Sequence, residues 1–180
     1  MVETFKISGL ELERIKTSAG KSLAQLSDEK PVLLVFLRHL GCIFCREALK
    51  DLAKLKPSFE EKNQELVLVH MEEDDVALTF FAKYGLKNCI HIEDQEQRLY
   101  KQFGLSRGNI SQLFGFKTMV RGFSAGISMD QFGGPSFGDA FQMPGIFVLY
   151  KRAIRAQYIH KVIADRPDYE ELLKCSTELK

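Results

Sequence analysis

Three short, uninterrupted apolar runs dominate the pattern along the chain. Residues 32–37 read Val-Leu-Leu-Val-Phe-Leu between Pro31 and Arg38. A run this short, rich in Val and Leu, predicts a central strand buried on both faces. Residues 65–71 repeat that signature around Leu66-Val67-Leu68-Val69, and residues 145–150, opened by Pro144, repeat it again. Helical spacing takes over between the first two runs. Ala48, Leu49, Leu52, Ala53 and Leu55 form one apolar face, predicting a helix that starts near Cys42 or Cys45 and is limited or kinked by Pro57. Val76, Leu78, Phe80 and Phe81 predict a helix over 74–84 with Gly85 as its C-cap. Further helices are expected over 93–103, closed by Gly104, and over 168–175.

Weaker patterns fill the rest. Residues 11–16 alternate Leu12 and Ile15 with charge and read as a short strand. Residues 22–26 read as a short strand or a turn of helix, 27–30 as a loop, and 88–92 as a short strand or loop. Residues 153–160 can fold back on the third strand through a turn at Lys151-Arg152, making a hairpin. Residues 105–143, rich in Gly and Phe, form an irregular insertion. Early alternation of strand and helix implies parallel pairing, and the late hairpin an antiparallel edge. The expectation is one α/β domain over 1–180. Its architecture would be a thioredoxin-like three-layer α/β/α sandwich with a mixed central sheet.

Composition narrows the functional classes. Lys and Arg number 25 against 24 Asp and Glu, a net charge of +1, and neither half of the chain has the excess expected of a nucleic-acid binder. The apolar runs are too short to span a bilayer. The first residues show no apolar signal region, so a cytoplasmic, reducing setting is expected. Cysteines there are structural, metal-binding or redox-active. Of Cys42, Cys45, Cys89 and Cys175, only the first two have motif spacing, C-x-x-C. No second C-x-x-C and no closely spaced histidine pair accompanies them, so no metal site is expected, and no cofactor motif appears.

Cys42 and Cys45 fall where the central strand feeds the first long helix, the end of an α/β sheet at which active groups collect. A helix N-terminus stabilises thiolate over thiol. Cysteines three apart on one turn can form a reversible disulfide. Arg38, His39 and Arg46 are close enough in sequence to tune the pair, and the basic Arg121 of the insertion is a further candidate. Two buried small hydrophobes are the structural alternative.

The block Phe36-Leu37-Arg38-His39-Leu40-Gly41-Cys42-Ile43-Phe44-Cys45-Arg46-Glu47 resembles the core motif of the peroxiredoxin-like proteins. These belong to the alkyl hydroperoxide reductase / thiol-specific antioxidant superfamily and are related to selenoprotein L. The D-Q-E-Q-R-L-Y-K-Q-F-G-L stretch over 94–105 and the G-D-A-F-Q-M-P-G stretch over 138–145 are similar to further motifs of that superfamily, in order. The resemblance implies the thioredoxin-like fold. By analogy with that fold it also implies a cis Met143–Pro144 step facing the thiols and presenting backbone to substrate. A trans proline opening a strand is the alternative.

Peroxiredoxins carry a Pro-x-x-x-Thr/Ser-x-x-Cys motif. Aligned with it, Cys45 takes the peroxide-attacking position, Cys42 replaces the Thr/Ser and Arg38 replaces the proline. Thioredoxins instead attack with the first cysteine of the pair. Three activities stay open: a peroxidase with Cys45 attacking and Cys42 resolving, with Arg38 or Arg121 as stabiliser; a thiol–disulfide oxidoreductase with Cys42 attacking; and a non-enzymatic redox sensor. The implied partners are a hydroperoxide or disulfide and an external thiol such as thioredoxin or glutathione. The phenylalanines of 114–141 can serve as core, as an access groove or as a homodimer surface. Cys89, Cys175 and His70 read as structural groups, and Glu72-Glu73-Asp74-Asp75 as a solvated helix start.

Overall fold

The computed structural model describes residues 7–109 and 139–177. Side chains of the last helix are described only in part, and that of Cys175 is not. Arg121 and the glycines and phenylalanines of 110–138 lie outside the described residues.

The first two elements are helices. α1 (Gly9–Arg14) and α2 (Leu23–Glu29) each begin with a capping box, Ser8 with Glu11 and Ser22 with Gln25. In each, the serine hydroxyl accepts the third backbone N–H while the Glu or Gln side chain accepts the N–H of the serine. These boxes overturn the strand expected over 11–16 and the loop expected over 27–30. An S-x-x-E/Q pattern that marks a helix start was present at both places. The alternation of Leu12 and Ile15 is therefore one buried helical position and one residue beyond the helix end.

β1 (Val32–Phe36) follows, then α3 (Ile43–Glu61), β2 (Glu65–His70), α4 (Asp74–Ala82), β3 (Ile90–Glu93) and α5 (Arg98–Gln102). After the insertion come β4 (Gly145–Tyr150), β5 (Ala153–Ile159) and α6 (Tyr169–Thr177). The strands form one sheet in the order β3-β2-β1-β4-β5. β1–β2 and β2–β3 pair in parallel, while β1–β4 and β4–β5 pair antiparallel. The expected hairpin forms, with Lys151 and Arg152 both at positive φ, 51° and 59°, as a tight two-residue hairpin turn requires.

Alternate residues of β1 separate two cores. Val32, Leu34 and Phe36 face α1, α2, Tyr100 and Phe103. Leu33 and Val35 face α3, α4 and Tyr169 of α6, through Leu49, Leu52, Phe59, Ala77 and Phe81. Helices thus cover both faces, giving the expected three layers. α3 continues past Pro57 to Glu61. Burial of Leu49, Leu52 and Phe59 against the sheet outweighs the one backbone hydrogen bond that proline removes. The helix expected over 93–103 shrinks to five residues because Asp94 turns back to cap it. Its carboxylate accepts the N–H groups of Arg98, Leu99 and Tyr100 at 2.9, 2.8 and 3.3 Å.

Two features fix the sheet end that carries the thiols. Tyr100, fully buried, donates its hydroxyl to Leu37 O at 2.5 Å and Val69 O at 3.2 Å, pinning the ends of β1 and β2. Tyr100→Phe should cost about 1–2 kcal/mol of stability by stranding the Leu37 carbonyl, since Val69 O keeps the Leu37 N–H at 2.9 Å; urea denaturation measures it, and an unchanged midpoint would show that the Leu37 carbonyl is satisfied in another way. The two described ends of the insertion also meet. Gly108 N–H donates to Phe141 O at 2.7 Å and Met143 N–H to Ser106 O at 3.2 Å. Gly145 then passes so close to Leu105 that a Cβ would lie 2.5 Å from Leu105 Cδ2, which explains a residue without a side chain where β4 begins.

Candidate active site

β1 delivers the chain to residues 37–42, and Cys42 is the N-cap of the 19-residue α3. Its backbone is extended and no side chain caps the helix, so the sulfur sits where the helix dipole and unpaired N–H groups favour an anion. Cys45 lies one turn further on. Both thiols are free and buried, at 7% and 5% exposure. They pack with Phe44, Met143, Ile163 and Ala164.

Arg38 is the dominant charge. It is buried, its Nη1 lies 3.1 Å from Cys42 Sγ, and its Nη2 donates to Ala140 O at the far end of the insertion. One guanidinium thereby ties the thiol to the turn that leads into β4. The consequence is an asymmetric pair. A hydrogen bond from Cys45, the Arg38 charge and the N–H groups of Cys45 and Phe44 together outweigh burial and hold Cys42 down to about 6. Cys45, donating to that sulfur and buried beside it, is pushed well above the ordinary thiol range. At neutral pH the arrangement is Cys42 thiolate and Cys45 thiol.

Glu72 supports this loop from below. Read from sequence as part of a solvated helix start, it is in fact buried, and α4 begins only at Asp74. Its carboxylate accepts Leu40 N–H at 2.8 Å. Burial raises its affinity for a proton. A lone acid that returns to the previous strand–helix loop leaves no periodic trace in sequence, and none marked it.

The other expected residues sort as follows. His39 is buried with no partner at Nδ1, and burial followed by the Arg38 charge lowers it to about 4. It is therefore neutral at pH 7 and supplies no positive charge to the thiols. It contributes through its carbonyl, which accepts Cys42 N–H at 3.0 Å. Arg46 turns away to stack on Phe80, 5.9 Å from the ring centre. Met143 packs against the cysteines, and Pro144 lines the same cleft. There is no cis peptide bond among the described residues, so the cis step drawn from fold analogy is not found. The Pro144 carbonyl accepts the His160 N–H at 3.4 Å and is thereby engaged within the hairpin. Cys89 belongs to the core between the sheet and α3–α4, with its thiol pushed up by burial.

The cleft is lined by Arg38, Cys42, Cys45, Pro144, His160 and Tyr169, with Asp51 and Arg166 paired at 2.6 Å beside them. Its water-accessible volume of about 40 Å³ holds two or three water-sized atoms. That is room for a small oxidant beside the thiols, and a wider pocket of about 460 Å³ adjoins it at Asp51, Arg166, Pro167 and Tyr169. Among the described residues, no helix is long and apolar enough to cross a membrane.

The chain is similar to known proteins over most of its length. The chain is 28% identical over 171 residues to a prostamide/prostaglandin F synthase of Danio rerio, covering 91% of this chain and 83% of that one. It is 33% identical over 85 residues to a peroxiredoxin-like 2C protein of Bos taurus, covering 47% of this chain and only 37% of that relative's length. A solved peroxiredoxin Q of Xanthomonas campestris superposes with a TM-score of 0.66 at 14% identity, over 97% of each chain. A profile described as the AhpC/TSA family matches residues 6–155, from before α1 into β5. The paired thiols at the head of α3 thus sit on that family's framework over most of its length: the chain belongs to the AhpC/TSA family and is a peroxiredoxin-like, thiol-dependent oxidoreductase of thioredoxin fold.

Proposed function

We propose that the protein reduces hydroperoxides with Cys42 as the attacking thiolate and Cys45 as the resolving thiol. The observation that carries this reading is the contact of Arg38 Nη1 with Cys42 Sγ at the N-terminus of α3. It departs from the peroxiredoxin alignment, which puts Cys45 in the attacking position. Cys45 has no comparable stabilisation and holds its proton.

Cys42 sulfur attacks the hydrogen-bearing oxygen of R–O–O–H. The O–O bond breaks, sulfur is oxidised to sulfenic acid, and R–O⁻ leaves and takes a proton to become the alcohol. Arg38, one of whose amines already faces the sulfur, stabilises the charge as it moves from sulfur to the leaving oxygen. Cys45, freed of its hydrogen bond to a thiolate, then attacks Cys42. The S–O bond breaks, water leaves, and a Cys42–Cys45 disulfide forms. An external dithiol of thioredoxin type, or glutathione, returns two electrons and two protons. A thiol of this kind at pH 7 is roughly 90% thiolate, against a few per cent for free cysteine.

The small cleft favours hydrogen peroxide or a short-chain hydroperoxide. The name of the Danio rerio relative adds prostanoids to the substrates to be assayed. A second reading, thiol–disulfide exchange, rests on the same low-pKa first cysteine. The test is the rate at which the fully reduced protein consumes hydrogen peroxide, compared with free cysteine in the same buffer, with mass analysis of the product. A rate at least a hundredfold above free cysteine, with two hydrogens lost between Cys42 and Cys45, is expected. A rate equal to free cysteine with every peroxide tried, alongside rapid reduction of a protein disulfide, would transfer the assignment to exchange.

A further inference from the structure

At the far side of α4 from its C-cap, three side chains outside the thiol site converge. His70 ends β2, His91 lies in β3, and Asp74 is the first residue of α4. In the parallel register His91 is opposite Leu68 and His70 opposite Glu93, so both rings point to the same face of the sheet, beneath α4. The ring centres are 5.5 Å apart, and both rings lie against Phe81. Nε2 of each histidine is 3.4 Å from Asp74 Oδ1, and the three ligand atoms all lie within 4.8 Å of one another.

The proton positions follow from the backbone. His70 Nδ1 is 2.9 Å from Glu72 O, and His91 Nδ1 is 3.3 Å from Cys89 O. A carbonyl only accepts, so each neutral ring carries its proton on Nδ1 and turns a lone pair outward from Nε2. This is the carbonyl-to-histidine arrangement that orients metal-binding imidazoles. His70 is fully buried, yet its Nε2 has no hydrogen-bond partner. Two imidazole lone pairs and a carboxylate therefore converge on one point. The 3.4 Å separations exceed a normal N–H···O bond of about 2.7–3.2 Å. They match a tetrahedral ion instead, because bonds of about 2.0–2.2 Å place neighbouring ligand atoms about 3.4 Å apart. Glu93 adds negative charge through its contact with Asp74 N–H at 3.2 Å. Asp74, half exposed, leaves a way in and room for a fourth ligand, water.

We propose that His70, His91 and Asp74 form a binding site for a divalent cation of the zinc type, which clamps the ends of β2 and β3 to the start of α4. Two imidazoles and one carboxylate suit zinc over the larger oxygen-seeking cations. The site shares no residue with the thiol pair and does not rest on the peroxidase reading. Sequence spacing concealed it: the two histidines are separated by a whole helix, and no short motif joins them.

The test uses the full chain carrying Cys42→Ser and Cys45→Ser, so that the thiols cannot capture metal. The protein is stripped with chelator and titrated with zinc chloride by calorimetry. One zinc per chain is expected, with a rise in melting temperature that follows zinc concentration. Cobalt(II) should give a tetrahedral visible spectrum without a thiolate charge-transfer band. Asp74→Asn, at a half-exposed position, should keep the metal-free melting temperature and weaken zinc at least about tenfold, as should His91→Gln. The proposal is overturned by absence of stoichiometric binding in the Cys-free-pair protein, by a thiolate band in the cobalt spectrum, or by binding that Asp74→Asn leaves unchanged.

Discussion

Cys42→Ser should abolish peroxide consumption, whereas Cys45→Ser should consume one equivalent and stop with a sulfenic acid on Cys42. The difference follows from where the two sulfurs lie in one helical turn. Cys42, as N-cap, meets the N–H groups of Phe44 and Cys45 and the Arg38 guanidinium at 3.1 Å. Cys45 also feels the Arg38 charge and backbone, but the sulfur of its partner and burial outweigh them and keep its proton on. Stopped-flow peroxide consumption and trapping of sulfenic acid with a dimedone-type reagent read the two outcomes. Alkylation of the reduced wild-type protein gives the same answer independently. Label should enter Cys42 first, with a rate that climbs through a midpoint near pH 6, because the folded protein holds that thiol at about 6. The sign is fixed by the charge: reactivity needs the thiolate, so it falls as pH drops below that value and is flat above it until free cysteine catches up. First labelling at Cys45, with Cys45→Ser as the dead variant, would reinstate the peroxiredoxin alignment and defeat the assignment made from geometry.

Arg38→Met should slow the reaction with peroxide at pH 7 by roughly tenfold to a hundredfold. Two effects combine. If the thiol returned fully to an ordinary value, the thiolate fraction at pH 7 would drop from roughly 90% to about 3%, a limit of about thirtyfold. Arg38 is one of several causes of the low value, the hydrogen bond from Cys45 being larger, so this part alone should be nearer tenfold. Loss of the cation facing the leaving oxygen accounts for the remainder. The two parts separate in the pH profile. Raising the pH restores the thiolate but not the charge, so a residual deficit at pH 10 measures the direct role. Met keeps most of the buried volume but leaves Ala140 O without its donor, so a thermal melt should accompany the kinetics. Wild-type kinetics at every pH, in a variant that melts normally, would remove Arg38 from the mechanism.

How far the site could be read from sequence varies residue by residue. Cys42 and Cys45 were legible because their spacing and their place after a buried strand are local facts. Arg38 was legible as a neighbour, but the choice between the two thiols was not. That choice depends on Arg38 Nη1 turning toward one sulfur and Nη2 toward Ala140, a residue 102 positions away. Arg121 lies outside the described residues. His39 shows the opposite error. Proximity made it a candidate cation, but burial beside Arg38 keeps it neutral. Glu72 and Asp74 were read as surface charge and His70 as a structural group, and His91 carried no reading, because each owes its surroundings to strands and helices brought together from different parts of the chain.

The same division runs through the fold. Sequence alone determined the buried strands β1, β2 and β4, the helix begun at the C-x-x-C, the hairpin and the three layers. Each of these follows from apolar spacing within a few residues, and that spacing decides which face a strand or helix must bury. Tertiary structure decided how the short elements pack, while their ends are set by local capping that the apolar pattern does not show. α1 and α2 exist because capping boxes and a packed core outweigh a strand-like alternation. α5 is short because one buried aspartate caps it late. Tertiary structure also decided the protonation states. A thiol, an imidazole or a carboxyl group takes its charge from the groups that folding places around it, and those groups come from segments far apart in the chain.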